Sequence, residues 1–513
     1  MMTRMPSHVL WGLAGAFGLW AGFPNMLVQL PPLALLFPAA LYRLGAEAPD
    51  GRSAFRRGWL CALLGFFSVM YWVARPIVIV GGLPWALAIP CALFVSAGLG
   101  SAGAFFAWAA FRLRAHPPVR RACMLGIVWY LLEYLYAAVC AFPWLPLSAA
   151  LAAWPVCIQP AAVVGAYALG GLLAMLALFL LDSRAHKASR LAAAVLSAML
   201  FLPSAWRLYA HPAEASPQGP DTAAVLFVEG NIDQNHKWNP AFQQETVDTY
   251  LALTRKGLAA LPDERPLVVW PETAMPFYFQ AHPLHTPRVL NFAAQHHVPM
   301  LIGAPGYAPA AGGGRPSVFN RAFLINAQGQ MTGQYDKRYL VPFGEYLPPW
   351  MDFEVLKPLL QGVGIYTRGT DSAPLRTGNL AMGMLICYEA IFPELADEAV
   401  LNGANVLADI SNDGWFGQTA APVQHLYLTA LRAVEQGRWL LRGTNTGLSA
   451  VCDAFGRIVV QGSRDTAETV AGRVRLTSDV TIFHLLGWRI PLTALALFIL
   501  LVVLPAGTRR PTL

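Results

Sequence analysis

The chain has 513 residues, of which 56% are hydrophobic and only 13% are charged. That composition is too apolar for an ordinary water-soluble protein of this length, and it indicates segments embedded in a membrane. The formal net charge of +7 is explained by basic residues between apolar stretches, and with no nucleic-acid motif in the sequence it requires no nucleic-acid partner.

Long apolar stretches fill the chain from about residue 8 to about residue 208, and a further one runs from about 485 to 504. Each is close to the roughly 20 residues that cross a bilayer as a helix. We predict eight transmembrane helices, near residues 8–23, 26–44, 58–75, 84–112, 121–142, 160–182, 190–210 and 485–505. Because Pro24-Asn25 is a very short connection and Pro31-Pro32 interrupts the second span, the first two could instead form one re-entrant unit. The first could also be a cleaved signal peptide, although the spans that follow at once favour an uncleaved helix.

Basic residues orient the predicted spans. They follow the second, fourth, sixth and last spans: Arg52, Arg56, Arg57, Arg112, Arg114, Arg120, Arg121, Arg184, Lys187, Arg190, Arg509 and Arg510. The alternate connections carry far fewer, with Arg75 after the third span and no charge in 143–159. This positive-inside pattern predicts cytoplasmic termini and a large domain on the outer side. In a Gram-negative bacterium, the protein would be a multi-pass inner-membrane protein with that domain in the periplasm.

The sequence divides into seven spans (1–211), an outer domain (212–480) and the last span with a cytoplasmic tail (481–513). Within the outer domain, strand-like runs alternate with helix-like ones. The predicted strands cover 223–228, 267–270, 299–303, 321–326, 380–386, 405–410, 447–452 and 457–460, and the predicted helices cover 242–261, 287–296, 392–401 and 425–439. This alternation, with its hairpins, predicts a layered α/β sandwich.

Five of the seven cysteines lie in or beside the predicted spans, where a small buried thiol is the ordinary interpretation: Cys61, Cys91, Cys123, Cys140 and Cys157. The sequence has no CxxC motif or Cys/His cluster that would predict a metal site. Cys387 and Cys452 lie in the outer domain, where a disulfide between them is possible. The surroundings of Cys387 favour a working thiol instead.

Three residues of the outer domain form a chemical constellation. Cys387 follows an apolar strand-like run and precedes a helix-like stretch, whose N-terminus would stabilise a thiolate. Glu272 ends another strand-like run, and Lys337 lies in a polar and aromatic segment. A base, a cation and a thiol indicate acyl transfer through a thioester. Taken singly, they could be a solvated strand end, a surface lysine and a buried core thiol.

Two further acids accompany this constellation. Glu345 follows Phe343-Gly344 in a predicted turn, where it could position Lys337 or a proton. Glu389 comes two residues after Cys387 and could be functional or structural.

The ordered motifs around these residues resemble the nitrilase superfamily. They read Trp-Pro-Glu272-Thr, Tyr-Asp-Lys337-Arg-Tyr-Leu-Val-Pro-Phe-Gly-Glu345-Tyr-Leu-Pro and Ile-Cys387-Tyr-Glu389, and the segments 230–238 and 410–417 are similar to the same family. With the eight-span frame, essentially the whole chain resembles the membrane-embedded branch, the apolipoprotein N-acyltransferases. Glu229 stands where a glutamine is often expected. The resemblance implies a transmembrane helical bundle joined to a nitrilase-like αββα sandwich.

The resemblance also implies a two-step reaction. Cys387 would attack an ester of a phospholipid, typically phosphatidylethanolamine, and the resulting thioester would acylate the α-amine of an S-diacylglyceryl-cysteine apolipoprotein. Glu272 would be the general base, and Lys337 would stabilise the oxyanion with a backbone amide near Tyr388. The resemblance implies no metal and no organic cofactor. Nothing in the sequence requires an oligomer, so we expect a monomer.

Apolar residues near the motifs could receive lipid. Trp238, Trp415 and Phe416 would line an acyl or lipid pocket, unless they are ordinary core residues. The apolar segment 347–366 could be a membrane-facing lid or an amphipathic helix packed on the domain. Glu133 lies deep in a span, where an acid is costly and often functional, although pairing within the bundle is the plainer expectation.

Two other functions are compatible with parts of the sequence. A membrane-tethered nitrilase-type amidase would use the same three residues with water as the acyl acceptor. It would need one span as a tether, whereas two lipid substrates justify a bundle that admits lipid from the side. A transporter or binding protein with an inactive enzyme domain is disfavoured, because Glu272, Lys337 and Cys387 are all present.

Overall fold

Helices form the first part of the chain in a computed structural model that describes residues 5–79, 81–309, 316–346 and 366–504. The helices before the first strand are α1 (Ser7–Gly22), α2 (Leu36–Ala46), α3 (Gly51–Met70), α4 (Ala74–Ile79), α5 (Trp85–Leu113), α6 (Pro118–Cys140), α7 (Leu147–Ala150), α8 (Pro155–Ile158), α9 (Ala161–Asp182) and α10 (Lys187–Ala210). Short 3₁₀ turns at Pro31–Leu35 and Tyr71–Val73 lead into α2 and α4.

The membrane bundle predicted from composition is confirmed. Within the described ranges, five helical stretches are long and apolar enough to cross a bilayer: Gly51–Ile79, Trp85–Leu113, Pro118–Cys140, Ala161–Asp182 and Lys187–Ala210. Of the remaining predicted spans, 8–23 corresponds to α1, and 26–44 is only partly helical, in α2 and the 3₁₀ turn before it. The span 485–505 contains the shorter apolar helix α17 (Ile490–Val503). The total of eight spans therefore stays a prediction.

The rest of the chain alternates strands with helices. The strands are β1 (Thr222–Glu229), β2 (Leu267–Val269), β3 (Met300–Ala308), β4 (Ser317–Ile325), β5 (Met331–Asp336), β6 (Leu375–Thr377), β7 (Leu380–Ile386), β8 (Val406–Ser411), β9 (Leu440–Thr444), β10 (Ala450–Cys452), β11 (Ile458–Gln461) and β12 (Glu468–Arg475). The helices are α11 (Gln234–Lys237), α12 (Gln243–Ala259), α13 (His285–His296), α14 (Pro393–Leu401), α15 (Ala421–Gln436) and α16 (Ile482–Leu486).

These strands form two six-stranded sheets, in the orders β12-β1-β2-β3-β4-β5 and β11-β10-β9-β8-β7-β6. Strands β1 to β3 are parallel, as are β7 to β9, and the outer pairs are antiparallel. The carboxyl ends of β2 and β7 therefore carry the segments that hold Glu272 and Cys387. Catalytic side chains commonly lie at such strand ends, where loops are free to vary.

Side-chain alternation along the strands produces four layers. Val225 and Phe227 of β1 share a buried cluster with the second sheet, whereas Leu226 and Val228 share another with α12 and α13. On the far side, Leu385 and Leu407 pack with α14 and α15. The predicted αββα sandwich is confirmed by this order of helix, sheet, sheet and helix.

Some boundaries and strands differ from the prediction. The helix predicted to reach residue 439 ends at Gln436, because Gly437 adopts a left-handed φ of +61° and caps it. Strand β5 was implied only as the second strand of a hairpin after 321–326, and strands β6, β9 and β12 were not predicted. The last of these pairs with β1 along its whole length, from Thr222 opposite Arg475 to Glu229 opposite Glu468. The possible Cys387–Cys452 disulfide is absent, since both thiols are free.

Gln424 joins the sandwich to the membrane bundle. Its Oε1 accepts hydrogen bonds from the indole N–H groups of Trp72, at 3.1 Å, and Trp144, at 2.9 Å. Its Nε2 donates to the backbone oxygens of Pro24, at 3.0 Å, and Val69, at 3.3 Å. The buried amide thus uses all four of its hydrogen-bonding positions on groups of the bundle. This contact fixes how α15 is docked on the bundle.

Substituting Gln424 by leucine is expected to weaken this docking. Two indole N–H groups and two carbonyls would stay buried without partners, at a cost of about 1–3 kcal/mol for each such group. The midpoint of thermal unfolding in detergent should fall by several degrees. Gln328→Leu, in an exposed hairpin turn, is the matched control and should leave the midpoint unchanged. Equal midpoints for the two variants would contradict the role given to Gln424.

Candidate active site

Cys387 lies on a strained turn directly after β7. Its φ is +56°, which non-glycine residues rarely adopt, and it begins a 3₁₀ turn that runs to Ile391. The Cys387 N–H donates to Asp409 Oδ1 at 3.1 Å, and His425 Nε2 donates to the Cys387 carbonyl at 3.0 Å. Both backbone polar groups are therefore held by buried side chains, which keeps the turn in this conformation.

Glu272 and Lys337 form a buried ion pair. Glu272 Oε1 lies 3.2 Å from Lys337 Nζ and accepts a 2.7 Å hydrogen bond from Asn320 Nδ2. Glu272 Oε2 accepts the backbone N–H of Asn412 at 2.9 Å. Lys337 directly follows β5, and its Nζ also lies 3.0 Å from Glu345 Oε1. The site is thus assembled from both sheets, since Asn412 follows β8.

The charge states of this pair follow from its surroundings. Burial alone would raise the pKa of Glu272, but the Lys337 ammonium and the Asn320 amide hold it below its usual value. Burial alone would lower the pKa of Lys337, but the two carboxylates of Glu272 and Glu345 raise it well above its usual value. The carboxylate and the ammonium are therefore both charged at neutral pH.

Unlike Glu272 and Lys337, Cys387 has surroundings that favour its uncharged form. Burial and the negative charge of Glu272 raise its pKa well above the usual value, and the Lys337 charge offsets this only in part. The sequence led us to expect a thiolate stabilised by a helix N-terminus, but this environment does not favour a resting thiolate. The element that begins at Cys387 is a five-residue 3₁₀ turn, which supplies little dipole. The thiol needs a base to become a nucleophile. The carboxylate of Glu272 is ionised and near enough to raise the pKa of the thiol.

Glu345 lies where the sequence suggested, beside Lys337. Its Oε1 also accepts Asn320 Nδ2 at 2.7 Å, and its Oε2 accepts the Val341 N–H at 2.8 Å. One carboxylate therefore holds the lysine, the asparagine and the following turn together. This arrangement keeps the Lys337 ammonium directed at the site.

Glu389 connects the lysine segment to the cysteine turn. It accepts hydrogen bonds from the backbone N–H groups of Arg338 (2.6 Å), Tyr339 (3.0 Å) and Ile386 (2.8 Å), and from the Tyr335 hydroxyl. Burial raises its pKa to about 7, although the three N–H groups favour the charged form. Through these contacts the buried Glu389 carboxylate links the segment that follows Lys337 to the end of β7.

The remaining residues suggested by the sequence lie in different places, and two of them, Tyr388 and Phe416, contact the membrane bundle. The Tyr388 hydroxyl donates to the carbonyl of Ala141, so the residue after the thiol is tied to the bundle. Phe416 packs on Trp72, with ring centroids 5.0 Å apart. Trp415 is half-buried, and Trp238 is 51% exposed on the surface of the domain. Most of the suggested lid, residues 347–365, lies outside the described residues.

A buried network behind Cys387 was missed at the sequence level. Arg442 on β9 contacts Asp409, and its Nη2 lies 2.9 Å from Asp413 Oδ2 and 3.1 Å from His425 Nδ1. All four side chains are fully or almost fully buried. Asp409 and His425 are the residues that hold the Cys387 backbone. The one available signal was an aspartate inside the apolar run 405–410.

Glu133 is hydrogen-bonded within the bundle. Its Oε1 accepts Trp129 Nε1 at 2.7 Å and the Leu147 N–H at 2.8 Å. It borders an apolar cavity between helices of the bundle that reaches Phe142. Elsewhere, the described ranges contain no group of three or more His, Cys, Asp or Glu side chains that could hold a metal ion.

Glu229 is a buried acid at the carboxyl end of β1 in the first sheet. Its Oε1 accepts the Ser449 N–H at 3.0 Å, while Oε2 has no partner among the described residues. Burial raises its pKa to about 8. The carboxyl is therefore protonated at neutral pH and resembles the glutamine amide that its position led us to expect.

Glu229→Gln is expected to stabilise the protein in a pH-dependent way. The unfolded chain loses the Glu229 proton near pH 4.5, the ordinary value, whereas the folded chain keeps it to about pH 8. Stability is therefore lost as pH rises between these values, at up to about 1.4 kcal/mol per unit. Thermal midpoints measured from pH 5 to pH 8 should show the variant's advantage growing. An advantage that stays constant with pH would contradict the assignment. Glu264→Gln, at a part-exposed acid, is the control.

Comparison with known proteins matches both parts of the chain. Residues 15–179 match the family model of the apolipoprotein N-acyltransferase N-terminal domain, and residues 230–478 match the carbon–nitrogen hydrolase model. An apolipoprotein N-acyltransferase of Geobacter metallireducens is 33% identical over 465 residues, which is 89% of this chain and 88% of that one. One of Azotobacter vinelandii is 32% identical over 498 residues, or 94% of this chain and 92% of that one. Among solved structures, Saccharomyces cerevisiae Nit3, of the nitrilase superfamily, is 18% identical, with a TM-score of 0.39 over 51% of this chain and 93% of that chain.

Proposed function

Because this chain belongs to the apolipoprotein N-acyltransferase family, we propose that it transfers a fatty acyl chain from a membrane phospholipid to an apolipoprotein. The acceptor is the α-amine of an N-terminal S-diacylglyceryl cysteine, and the product is a triacylated lipoprotein. The observation that carries this proposal is the charged Glu272–Lys337 pair beside the protonated Cys387 thiol, in a domain docked on a membrane bundle.

In the first half-reaction, Glu272 accepts the proton of the Cys387 thiol as the sulfur attacks the ester carbonyl of the phospholipid. The negative charge that develops on the carbonyl oxygen is stabilised by the Lys337 ammonium and the Tyr388 backbone N–H. The tetrahedral intermediate then expels the lysophospholipid alkoxide, which takes the proton from Glu272. An acyl thioester remains on Cys387.

In the second half-reaction, the cysteine α-amine of the acceptor attacks the thioester. Glu272 accepts the proton that the amine loses, and Cys387 leaves as a thiolate that this proton then neutralises. Exclusion of water from the acylated site would favour the amine over hydrolysis. No step requires a metal or an organic cofactor.

The placement in the cell is part of the proposal. The basic connections of the bundle favour cytoplasmic termini and a periplasmic catalytic domain in a bacterial inner membrane. We divide the chain accordingly into the bundle (1–211), the catalytic domain (212–480) and the last span with its tail (481–513). Phosphatidylethanolamine is the proposed donor and the working unit is a monomer. Trp238, Trp415 and Phe416 line the route of the lipid substrates.

A transfer assay separates this function from that of an amidase. The purified protein is mixed with phosphatidylethanolamine vesicles and an S-diacylglyceryl-cysteinyl peptide, and the peptide mass is followed. We expect the peptide to gain one fatty-acyl mass while lysophospholipid is released in equal amount. Release of free fatty acid with an unmodified peptide would instead make water the acceptor and overturn the proposal.

A further inference from the structure

Arg75 is a basic residue at an unusual place. It lies in α4, at the end of the third predicted span, and the proposed orientation puts this end on the outer side, where the positive-inside pattern disfavours basic residues. Its guanidinium makes no hydrogen bond or ion pair with any described residue, and its buried Nε has no partner. The side chain is partly exposed, so a ligand can reach it.

A second guanidinium, that of Arg464, lies close to Gly417, the glycine that Arg75 also approaches. Gly417 has a φ of +52°, and a Cβ at this position would overlap the Arg75 guanidinium. Arg464, from the loop after β11, donates Nη2 to the Gly417 carbonyl. Arg464 also forms a long ion pair with the part-exposed Asp465, whose Oδ2 lies 3.7 Å from Arg464 Nε. Two cations from different parts of the molecule therefore converge on Gly417.

This pair is adjacent to the reaction site and to the bundle. Gly417 follows Phe416, which packs on Trp72 of the bundle. The same short segment begins at Asn412, whose N–H holds the Glu272 carboxylate. An anion between the two guanidinium groups would thus lie at the junction of domain and bundle, where a lipid head group meets water.

We propose that Arg75 and Arg464 bind the phosphodiester group of the donor lipid. This inference rests on the proposed function and extends it to the recognition of the donor. Guanidinium groups match phosphate oxygens in charge and in geometry, and an anion relieves the repulsion between them. The phosphodiester is present in the donor phospholipid, whereas the diacylglyceryl-cysteine acceptor lacks it. The two arginines therefore distinguish the phospholipid donor from the diacylglyceryl-cysteine acceptor, although both substrates react at Cys387.

The test compares two acyl donors in the Arg75→Gln, Arg464→Gln and doubly substituted enzymes. One donor is phosphatidylethanolamine in mixed micelles, and the other is p-nitrophenyl palmitate, which has no phosphate. For each single variant we expect the KM for phospholipid to rise about tenfold, as for the loss of one charge-assisted hydrogen bond. The ratio of kcat/KM values, phospholipid over p-nitrophenyl ester, should fall by a similar factor. Arg75→Lys should recover part of the ratio, and Arg265→Gln, an exposed arginine of the same domain, is the charge control.

The opposite results overturn the assignment. An unchanged ratio, whether both activities fall together or neither changes, would leave the two arginines with a structural role only. Strong competition by inorganic phosphate against phospholipid in the unmodified enzyme would make the pair a free-phosphate site. Failure of the unmodified enzyme to accept any acyl group from phospholipid would instead refute the proposed function itself.

Discussion

Glu272→Gln is expected to slow acylation of Cys387 by phospholipid by about 10²–10⁴-fold, the usual contribution of a positioned general base. The amide keeps the size of the carboxyl group and its oxygen can still accept a hydrogen bond, so the site keeps its shape. It cannot take the thiol proton, however, and the raised pKa of Cys387 leaves almost no thiolate at neutral pH without a base. The rate of acyl-enzyme formation, followed by intact mass after rapid acid quenching, measures this effect.

The pH dependence and a matched variant complete the test of Glu272. Because Glu272 is ionised over the neutral range, acylation by the unmodified enzyme should vary little there. The variant should gain rate as pH rises, because hydroxide replaces the missing base. Glu398→Gln removes a part-exposed carboxylate that pairs with Arg338 and should acylate at the normal rate. Acylation of the Glu272 variant at the normal rate would refute the general-base role.

Arg442→Met is expected to have the largest effect on stability. The substitution would leave Asp409 and Asp413 buried without their cation, and removal of one partner from a buried ionic group costs about 3–5 kcal/mol. The Cys387 turn should also relax, because Asp409 and His425 hold its backbone. The midpoint of thermal unfolding in detergent measures the first effect, and the rate at which iodoacetamide alkylates Cys387 measures the second.

Compensating substitutions separate charge burial from packing. Adding Asp409→Asn and Asp413→Asn to the Arg442 variant removes the unpaired charges and should recover part of the lost stability. Arg376→Met, at an exposed position of β6 in the same sheet, is the control and should change little. If the Arg442 variant unfolded at the same temperature as this control, the network would not be what holds the second sheet behind Cys387.

Local patterns in the sequence predicted much of the α/β domain. The buried strands β1, β7 and β8 are mostly apolar runs, and Glu272 and Cys387 follow strands as their patterns indicated. Lys337 follows β5, which its polar and aromatic segment did not indicate. The structure brings all three together, although they come from different segments of the chain.

Long-range contacts could not be read from the sequence. β12 is polar and half-exposed, and only its pairing with β1 makes it a strand. The carboxylates of Asp409 and Asp413 depend on Arg442, which lies about thirty residues away in sequence. The four hydrogen bonds of Gln424 to the bundle depend on how the two parts dock. Such contacts join segments whose own patterns contain no sign of their partners.

Intact-protein mass after incubation with phosphatidylethanolamine vesicles tests the central claim most directly. The account predicts a gain of one fatty-acyl mass, located on Cys387 by peptide mapping and absent from Cys387→Ala. It also predicts that an S-diacylglyceryl-cysteinyl peptide discharges this adduct much faster than water does. An adduct that persists in the Cys387→Ala variant, or no adduct while the peptide is still acylated, would contradict transfer through a Cys387 thioester.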